Sequence, residues 1–306
     1  MWSSFKFCLP VLAAALAERA NALAVEGSPR SHSDRRAVFT VLGNATEDNV
    51  INERYTVNIT VNGRNFQVAI DTGSTDLWIV TPPDFQFNDT GIPVVDSYGD
   101  GETTNVVGTI GFATVQLGGY TVLHQAYNNA NASKVGLGDI VNRGLDGLMG
   151  FNVADGYSPI QETLKSSNLD PSPGASFLSN IFDQSPDQQN FLGVSLSRTD
   201  DLEGSADASF LINEVDPNYA NVVSAPAIPL FPGTNGRWSV LIDGISVDGV
   251  SIPVTPSTVQ DAPAGKVVAL MDTGTPGASF PADFLDRLFG AIPGSVVHHR
   301  PNLMLA

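Results

Sequence analysis

From Tyr55 onward, apolar and polar residues alternate with a period of two: Tyr55, Val57, Ile59 and Val61 fall on one side, Thr56, Asn58 and Thr60 on the other. This predicts a strand with one face in a core and one toward solvent. Asn62-Gly63 supplies the two residues of a tight hairpin turn, and the pattern resumes at Phe66, Val68 and Ile70, which lead into Asp71. Behind it Leu77-Trp78-Ile79-Val80 is a short apolar run closed by Pro82-Pro83. Residues 106–119 read as strand, turn, strand, and residues 160–164 as part of a helix. Near the other end, residues 267–271 form a second apolar strand that runs into Asp272. Pro281 then opens an amphipathic helix with Phe284, Leu285, Leu288 and Phe289 on one face, stopped at Gly290.

Two of these strands deliver the same phrase, Asp71-Thr72-Gly73-Ser74 and Asp272-Thr273-Gly274-Thr275. One buried carboxylate in a tight turn would be a defect, because its desolvation is not compensated. Two of them, brought together across a pseudo-two-fold axis, cannot both ionise and share one proton. One oxygen then takes a proton from water while the other carboxyl donates to a carbonyl, which is acid–base amide hydrolysis without metal, thiol or serine. The neighbouring Thr72, Gly73 and Ser74, and Thr273, Gly274 and Thr275, offer amides and hydroxyls that can hold the carboxylates coplanar.

Composition narrows the setting. With 306 residues, 42% hydrophobic, 29 Gly and 20 Pro, the chain reads as globular and rich in strands and turns. Residues 1–24 carry Lys6, an apolar run over 7–17 and small residues at Ala20, Ala22 and Ala24. That run is too short to span a bilayer and reads as a secretory signal peptide. The single cysteine, Cys8, lies inside it, so the mature chain is expected to use neither disulfides nor a thiolate. Asn44, Asn58, Asn88 and Asn131 begin glycosylation sequons, in keeping with secretion. The net charge of −17 makes nucleic acid and anionic membranes poor partners and suits work in acid, where carboxylates are neutralised. Gly-x-Ser-x-Gly and His-Glu-x-x-His do not occur, and the adjacent His298-His299 read as solvent-facing, so neither metal nor cofactor is expected. Residues 25–50 are polar, with Arg35-Arg36 open to reading as a processing site or an exposed pair. They are expected to form a short pro-segment or a flexible arm.

Residues 71–78, Asp-Thr-Gly-Ser-Thr-Asp-Leu-Trp, closely resemble the first active-site motif of the pepsin-like aspartic proteases of fungal type. Asp96-Ser97-Tyr98-Gly99-Asp100-Gly101 resembles the family's flap, and by that match Tyr98 is the flap tyrosine whose hydroxyl reaches Trp78, with Gly99 and Asp100 at the substrate-facing tip. Asp146-Gly147-Leu148-Met149-Gly150 is similar to the apolar element that packs under the first Asp loop, and residues 236–244 to the first strands of the second lobe. The resemblance covers about residues 50–295 and implies an all-β-dominated, bilobal pepsin-like acid-protease fold. It places an N-terminal lobe at 51–213 and a C-terminal lobe at 214–306. It further implies a monomer acting on polypeptide substrates, secreted or, alternatively, vacuolar.

Two departures stand out. Pro276 occupies a position where the family has a small or hydroxyl residue, and Pro lacks an amide donor. Gly150 follows Asp71 by 79 positions, so the matching element of the second half would fall near position 351, beyond Ala306. The N-terminal lobe is therefore expected complete and the C-terminal lobe partial, as in a truncated chain. Two functions stay open: a secreted, acid-active aspartic endopeptidase, or an inactive truncated homologue acting as a peptide-binding or decoy protein.

Overall fold

The computed structural model describes residues 39–46, 49–99, 104–154, 156–196, 207–275 and 277–295, with side chains placed from residue 54 onward in the first sheet. The signal peptide, Arg35-Arg36, Asp100, Gly101, Pro276 and His298-His299 lie outside the described residues.

Ten strands follow in chain order: β1 (Phe39–Thr46), β2 (Asn49–Val61), β3 (Arg64–Asp71), β4 (Leu77–Ile79), β5 (Asn88–Ser97), β6 (Asn105–Leu117), β7 (Tyr120–Val135), β8 (Gly147–Gly150), β9 (Leu192–Ser195) and β10 (Asp207–Ile212). They form one sheet in the order β5-β6-β7-β4-β8-β3-β2-β1-β10-β9. A further pairing of β6 with β2, at Thr60↔Gln116 and Val61↔Val115, closes the six strands from β6 to β2 into a barrel, as a pepsin-like fold requires. The β2–β3 hairpin turns at Asn62 and Gly63, whose φ values of 46° and 83° are those of the tight turn that Asn-Gly favours. The inward side chains Val57, Ile59, Val61, Phe66, Val68 and Ile70 meet Leu77, Ile79, Met149 and Phe151 in the main core.

Within residues 25–50, β1 pairs antiparallel with β2 from Phe39↔Val57 to Thr46↔Asn49, so part of that range belongs to the sheet. Residues 105–117 form one unbroken strand. The turn of the 106–119 segment falls at Gly118-Gly119, and the glycines inside the strand are packing positions, since a Cβ on Gly108 would lie 2.1 Å from Asn128 Oδ1 and one on Gly111 2.6 Å from the Phe87 ring. The last helix runs through Gly290 to Ala291.

Three short helices, α1 (Gly138–Val141), α2 (Pro159–Ser166) and α3 (Phe177–Asp183), pack on the barrel, the last two started by Ser158 and Ser176 as caps. Beyond β10 come two antiparallel pairs. One joins β11 (Ser239–Ile242) and β14 (Val267–Leu270); the other is the hairpin β12 (Ile245–Val247) and β13 (Val250–Ile252). Helix α4 (Ala282–Ala291) sets Phe284 and Leu288 against Val247 and Ile252 in a separate small core. Trp238, just before β11, belongs instead to the main core and donates its indole N–H to Phe151 O at 3.0 Å, tying the two halves together.

The central strand β3 lies between β2 and β8, parallel to β8 with Asp71 opposite Gly150. Strand β8 in turn lies so close to β4 that a Cβ on Gly147 would sit 2.0 Å from Trp78 O. Gly147→Ala is therefore expected to cost about 3 kcal/mol, because backbone has to move. Gly244→Ala, which meets nothing within 4 Å, should stay within about 0.5 kcal/mol of the parent. Urea midpoints of the two variants measure the contrast, and equal midpoints would contradict this packing account.

Candidate active site

Asp71 closes β3, and its loop is held from below by backbone groups that follow β8. Phe151 N donates to Asp71 O at 2.7 Å, Asn152 N to Ser74 O at 2.8 Å, and Gly150 N to Asp76 O at 3.0 Å. The buried Asn152 side chain adds a bond from Nδ2 to Thr72 O at 3.1 Å. The loop after β14 meets this one face to face. Thr72 Oγ1 donates to Met271 O at 2.7 Å and accepts from Thr273 N at 3.0 Å; Thr273 Oγ1 donates to Ile70 O at 3.1 Å and accepts from Thr72 N at 3.2 Å. The exchange is two-fold symmetric, and it sets the two aspartates side by side.

Each carboxyl is also held by its own loop. Asp71 accepts from Gly73 N at 2.7 Å and Ser74 Oγ at 2.6 Å; Asp272 accepts from Gly274 N at 2.8 Å and Thr275 Oγ1 at 2.9 Å. The glycines must lack side chains: a Cβ on Gly73 would lie 2.5 Å from the Asp272 carboxyl carbon, and one on Gly274 2.4 Å from Asp71 Oδ1. Asp71 is 5% exposed, and Asp272 is half-buried. Burial, then the Asp272 charge, pushes the Asp71 carboxyl up to about 7 against the opposing donors of Ser74 and Gly73. Such a pair holds one proton between two acids.

A family model for eukaryotic aspartyl proteases matches residues 84–304, which takes in Asp272 and begins after Asp71. The chain belongs to the eukaryotic aspartyl protease family. It is 25% identical over 257 residues to pepsin A of Sus scrofa, covering 77% of this chain and 57% of the relative. It is also 25% identical over 239 residues to the aspartic protease pepA of Arthroderma gypseum, covering 73% and 54%. The major aspartyl peptidase 1 of Cryptococcus neoformans var. grubii matches at 23% over 258 residues, covering 78% and 48%. The chain thus spans about half the length of the curated relatives it matches.

Around the paired carboxyls of this aspartyl protease chain, Trp78 is fully buried and Tyr98, at the end of β5, is half-buried above it. Neither Trp78 Nε1 nor the Tyr98 hydroxyl completes a well-formed hydrogen bond, although the indole lies close enough to favour the phenolate slightly. Burial and then Asp96, Asp71 and Asp76 outweigh it and keep the phenol protonated. Gly99 has a φ of 54° at the start of the tip. The sequons are spread over strands away from the pair: Asn58, Asn88 and Asn131 are exposed, and Asn44 lies in β1.

Two arginines with no local motif also reach the site. Arg54 donates from Nη1 to Gly274 O and binds Asp139 Oδ2 through Nε at 3.1 Å and Nη2 at 2.7 Å. Arg237 donates from Nη2 to Gly73 O at 2.7 Å.

A second buried carboxyl pair lies beneath the first loop. Asp76 and Asp96 are 3% and 2% exposed. Asp76 accepts from Thr75 Oγ1 and from Ile160 N, both at 2.9 Å, and Asp96 Oδ2 accepts from Asn128 Nδ2 at 2.9 Å. Asp96 Oδ1 has no donor among the described residues, which is the pattern of a protonated oxygen giving its own hydrogen to Asp76. Burial raises both carboxyls, and the Asp76 charge pushes Asp96 further.

All three raised carboxyls, at positions 71, 76 and 96, bind protons more tightly folded than unfolded. Their contribution to stability is complete below the unfolded value of 3.8 and is lost as pH rises through the folded values, about 7 for Asp71. Melting temperature is therefore expected to fall between about pH 4 and pH 7. Asp96→Asn, neutral and still able to donate to Asp76, should flatten that fall and gain about 2–4 °C at neutral pH for each kcal/mol recovered. An unchanged slope in the variant would show that the Asp76–Asp96 pair does not share a proton.

Proposed function

We propose that this chain is the catalytic part of a secreted, acid-active aspartic endopeptidase, in which Asp71 and Asp272 activate water between them and cleave extended peptides at bulky apolar residues. The observation that carries this is the reciprocal Thr72–Thr273 exchange, which presses two carboxyls together where one proton serves both. Secretion is supported by the leader-like residues 1–24 and by the exposed sequons, with the vacuole as the other destination. Residues 51–213 and 214–306 are assigned as the two lobes, and residues before them as leader and pro-segment.

In the reaction, the proton shared by the pair is drawn mainly to the more buried Asp71, and the second carboxyl takes a proton from the attacking water. Asp71 then gives its proton to the carbonyl oxygen, so a neutral tetrahedral gem-diol forms and water is consumed with no free hydroxide. Transfer of the pair's proton to the amide nitrogen lets the C–N bond break, and as it breaks one gem-diol hydroxyl returns its proton to the pair, leaving a carboxylic acid and an amine and restoring the one-proton state. Gly73 N, Gly274 N, Ser74 and Thr275 keep both carboxyls in the plane this exchange needs. Tyr98, protonated over the pair, forms the lid with Gly99 and Asp100 and takes no part in proton transfer.

The expected outcome is hydrolysis of denatured protein in acid, blocked by a pepstatin-type transition-state mimic and lost as pH rises through about 7, where Asp71 gives up its proton. Asp71→Asn or Asp272→Asn alone should lower kcat by about 10²–10⁴-fold, and Tyr98→Ala by clearly less. Activity that survives the mimic and disappears with a chelator would rule this reading out. Tight binding of the mimic with no turnover would instead favour the peptide-binding reading.

A further inference from the structure

The two arginines at the site occupy corresponding places and differ in charge balance. Arg54 lies in the first half and holds the carbonyl of Gly274; Arg237 lies in the second half and holds the carbonyl of Gly73. Each therefore stands beside the glycine whose missing side chain makes room for the opposite aspartate. Arg54 is neutralised by its two bonds to Asp139, and its side chain is 11% exposed. Arg237 has no carboxylate within ion-pair distance among the described residues. Its guanidinium lies 4.7 Å over the Tyr157 ring, and its Nε is buried without an acceptor. A guanidinium offers five N–H donors in a rigid fork, and here Gly73 O is the acceptor it has found. The residue is half-buried, and Tyr157 beside it is 39% exposed, so the terminal Nη1, unlike the buried Nε, sits at a surface a peptide can reach.

We propose that Arg237 is a specificity-determining residue that seats the carboxylate of an acidic side chain in the peptide, a few residues from the scissile bond. This rests on the protease reading above and deepens it: the substrate class becomes peptides with an apolar pair at the cut and one Asp or Glu on the side lying against the Asp71 loop. In a chain with 15 basic and 32 acidic residues, a half-buried cation without a carboxylate partner among the described residues, beside the reacting groups, is notable. The Tyr157 ring holds it flat, which lowers the ordering cost of a two-pronged bond to a carboxylate. A neutral carbonyl could accept from the terminal nitrogens, but only an ionised group also balances the charge, so glutamate and glutamine separate the two cases.

The test uses peptides with a central Phe-Phe and a single Glu or Gln moved through the flanking positions, each made also with the scissile amide replaced by an uncleavable reduced amide. Affinity of the uncleavable forms and kcat/KM of the cleavable ones are measured at about pH 3 and about pH 5.5. Arg237 stays charged at both. Asp71 keeps its proton below about 7, so the substrate glutamate, with an ordinary pKa of about 4.3, is the group that changes. At one position Glu should bind about tenfold more tightly than Gln at the higher pH, falling toward equality at the lower. Arg237→Gln should erase the ratio, Arg237→Lys should keep part of it, and Arg64→Gln, on an exposed pair with Asp84, should leave it intact.

A ratio near one at every position, or one that persists in Arg237→Gln, overturns the inference and leaves Arg237 as a prop for the Gly73 carbonyl. Binding without cleavage overturns the protease reading alone, since the affinity ratio still decides this one. No binding of either form overturns both.

Discussion

Thr72 and Thr273 exchange hydroxyl and amide hydrogen bonds across the site, and the opposing force is the repulsion between the carboxyls those bonds bring together. Four such bonds contribute about 1 kcal/mol each. Two unit negative charges about 4 Å apart, at an effective dielectric constant of about 20, repel by roughly 4 kcal/mol. With both aspartates ionised the two terms nearly cancel. With one proton between them the repulsion vanishes and the exchange prevails, so the geometry of the site and its protonation state are the same fact. Burial first, and then this repulsion, raises the Asp71 carboxyl.

The rest of the first sheet serves to make that position rigid. Strand β3 has neighbours on both edges, and β8 approaches through glycines where a side chain would strike backbone, at 2.0 Å for Gly147 and 2.4 Å for Gly150. The three backbone bonds around residues 150–152 then fix the carbonyls of the Asp71 loop. Asp96 carries the same order outward. Its carboxyl, on β5 just before Tyr98, interacts with Asp76 in the loop of Asp71, so the lid strand and the reacting loop are coupled through two buried carboxyls. Trp238 extends the arrangement to the second half by standing in the core of the first.

What the sequence made legible was what it encodes locally. The β2–β3 hairpin follows from alternation plus Asn-Gly, and the paired aspartates from a phrase used twice; the family match and the barrel agree with the fold so read. Long-range partnerships carried no such signature. Residues 39–46 fall in a range read as a pro-segment or arm, yet they pair with β2 along their length, with one register shift between Leu42 and Gly43. Nothing in the sequence around Gly108 and Gly111 shows that Asn128 and Phe87 pack against them. Arg54, Arg237 and Asn152 reach their acceptors across the fold, and nothing beside them in the chain announces it. Asp96 alone left a trace: it falls on the inward side of β5, two residues after the buried Val94, where the alternation calls for an apolar side chain.

The empty places on Gly73 and Gly274 bear on how such a molecule can have changed over time. Each glycine is the vacancy that the other half's aspartate fills, so neither half holds the whole specification of its own loop. Substitutions on the surface or in the helices of either half leave this seam untouched, but a change in one reacting turn has to be met by the other. Exchanging one half for that of a distant relative should succeed or fail at this seam, whatever the similarity elsewhere.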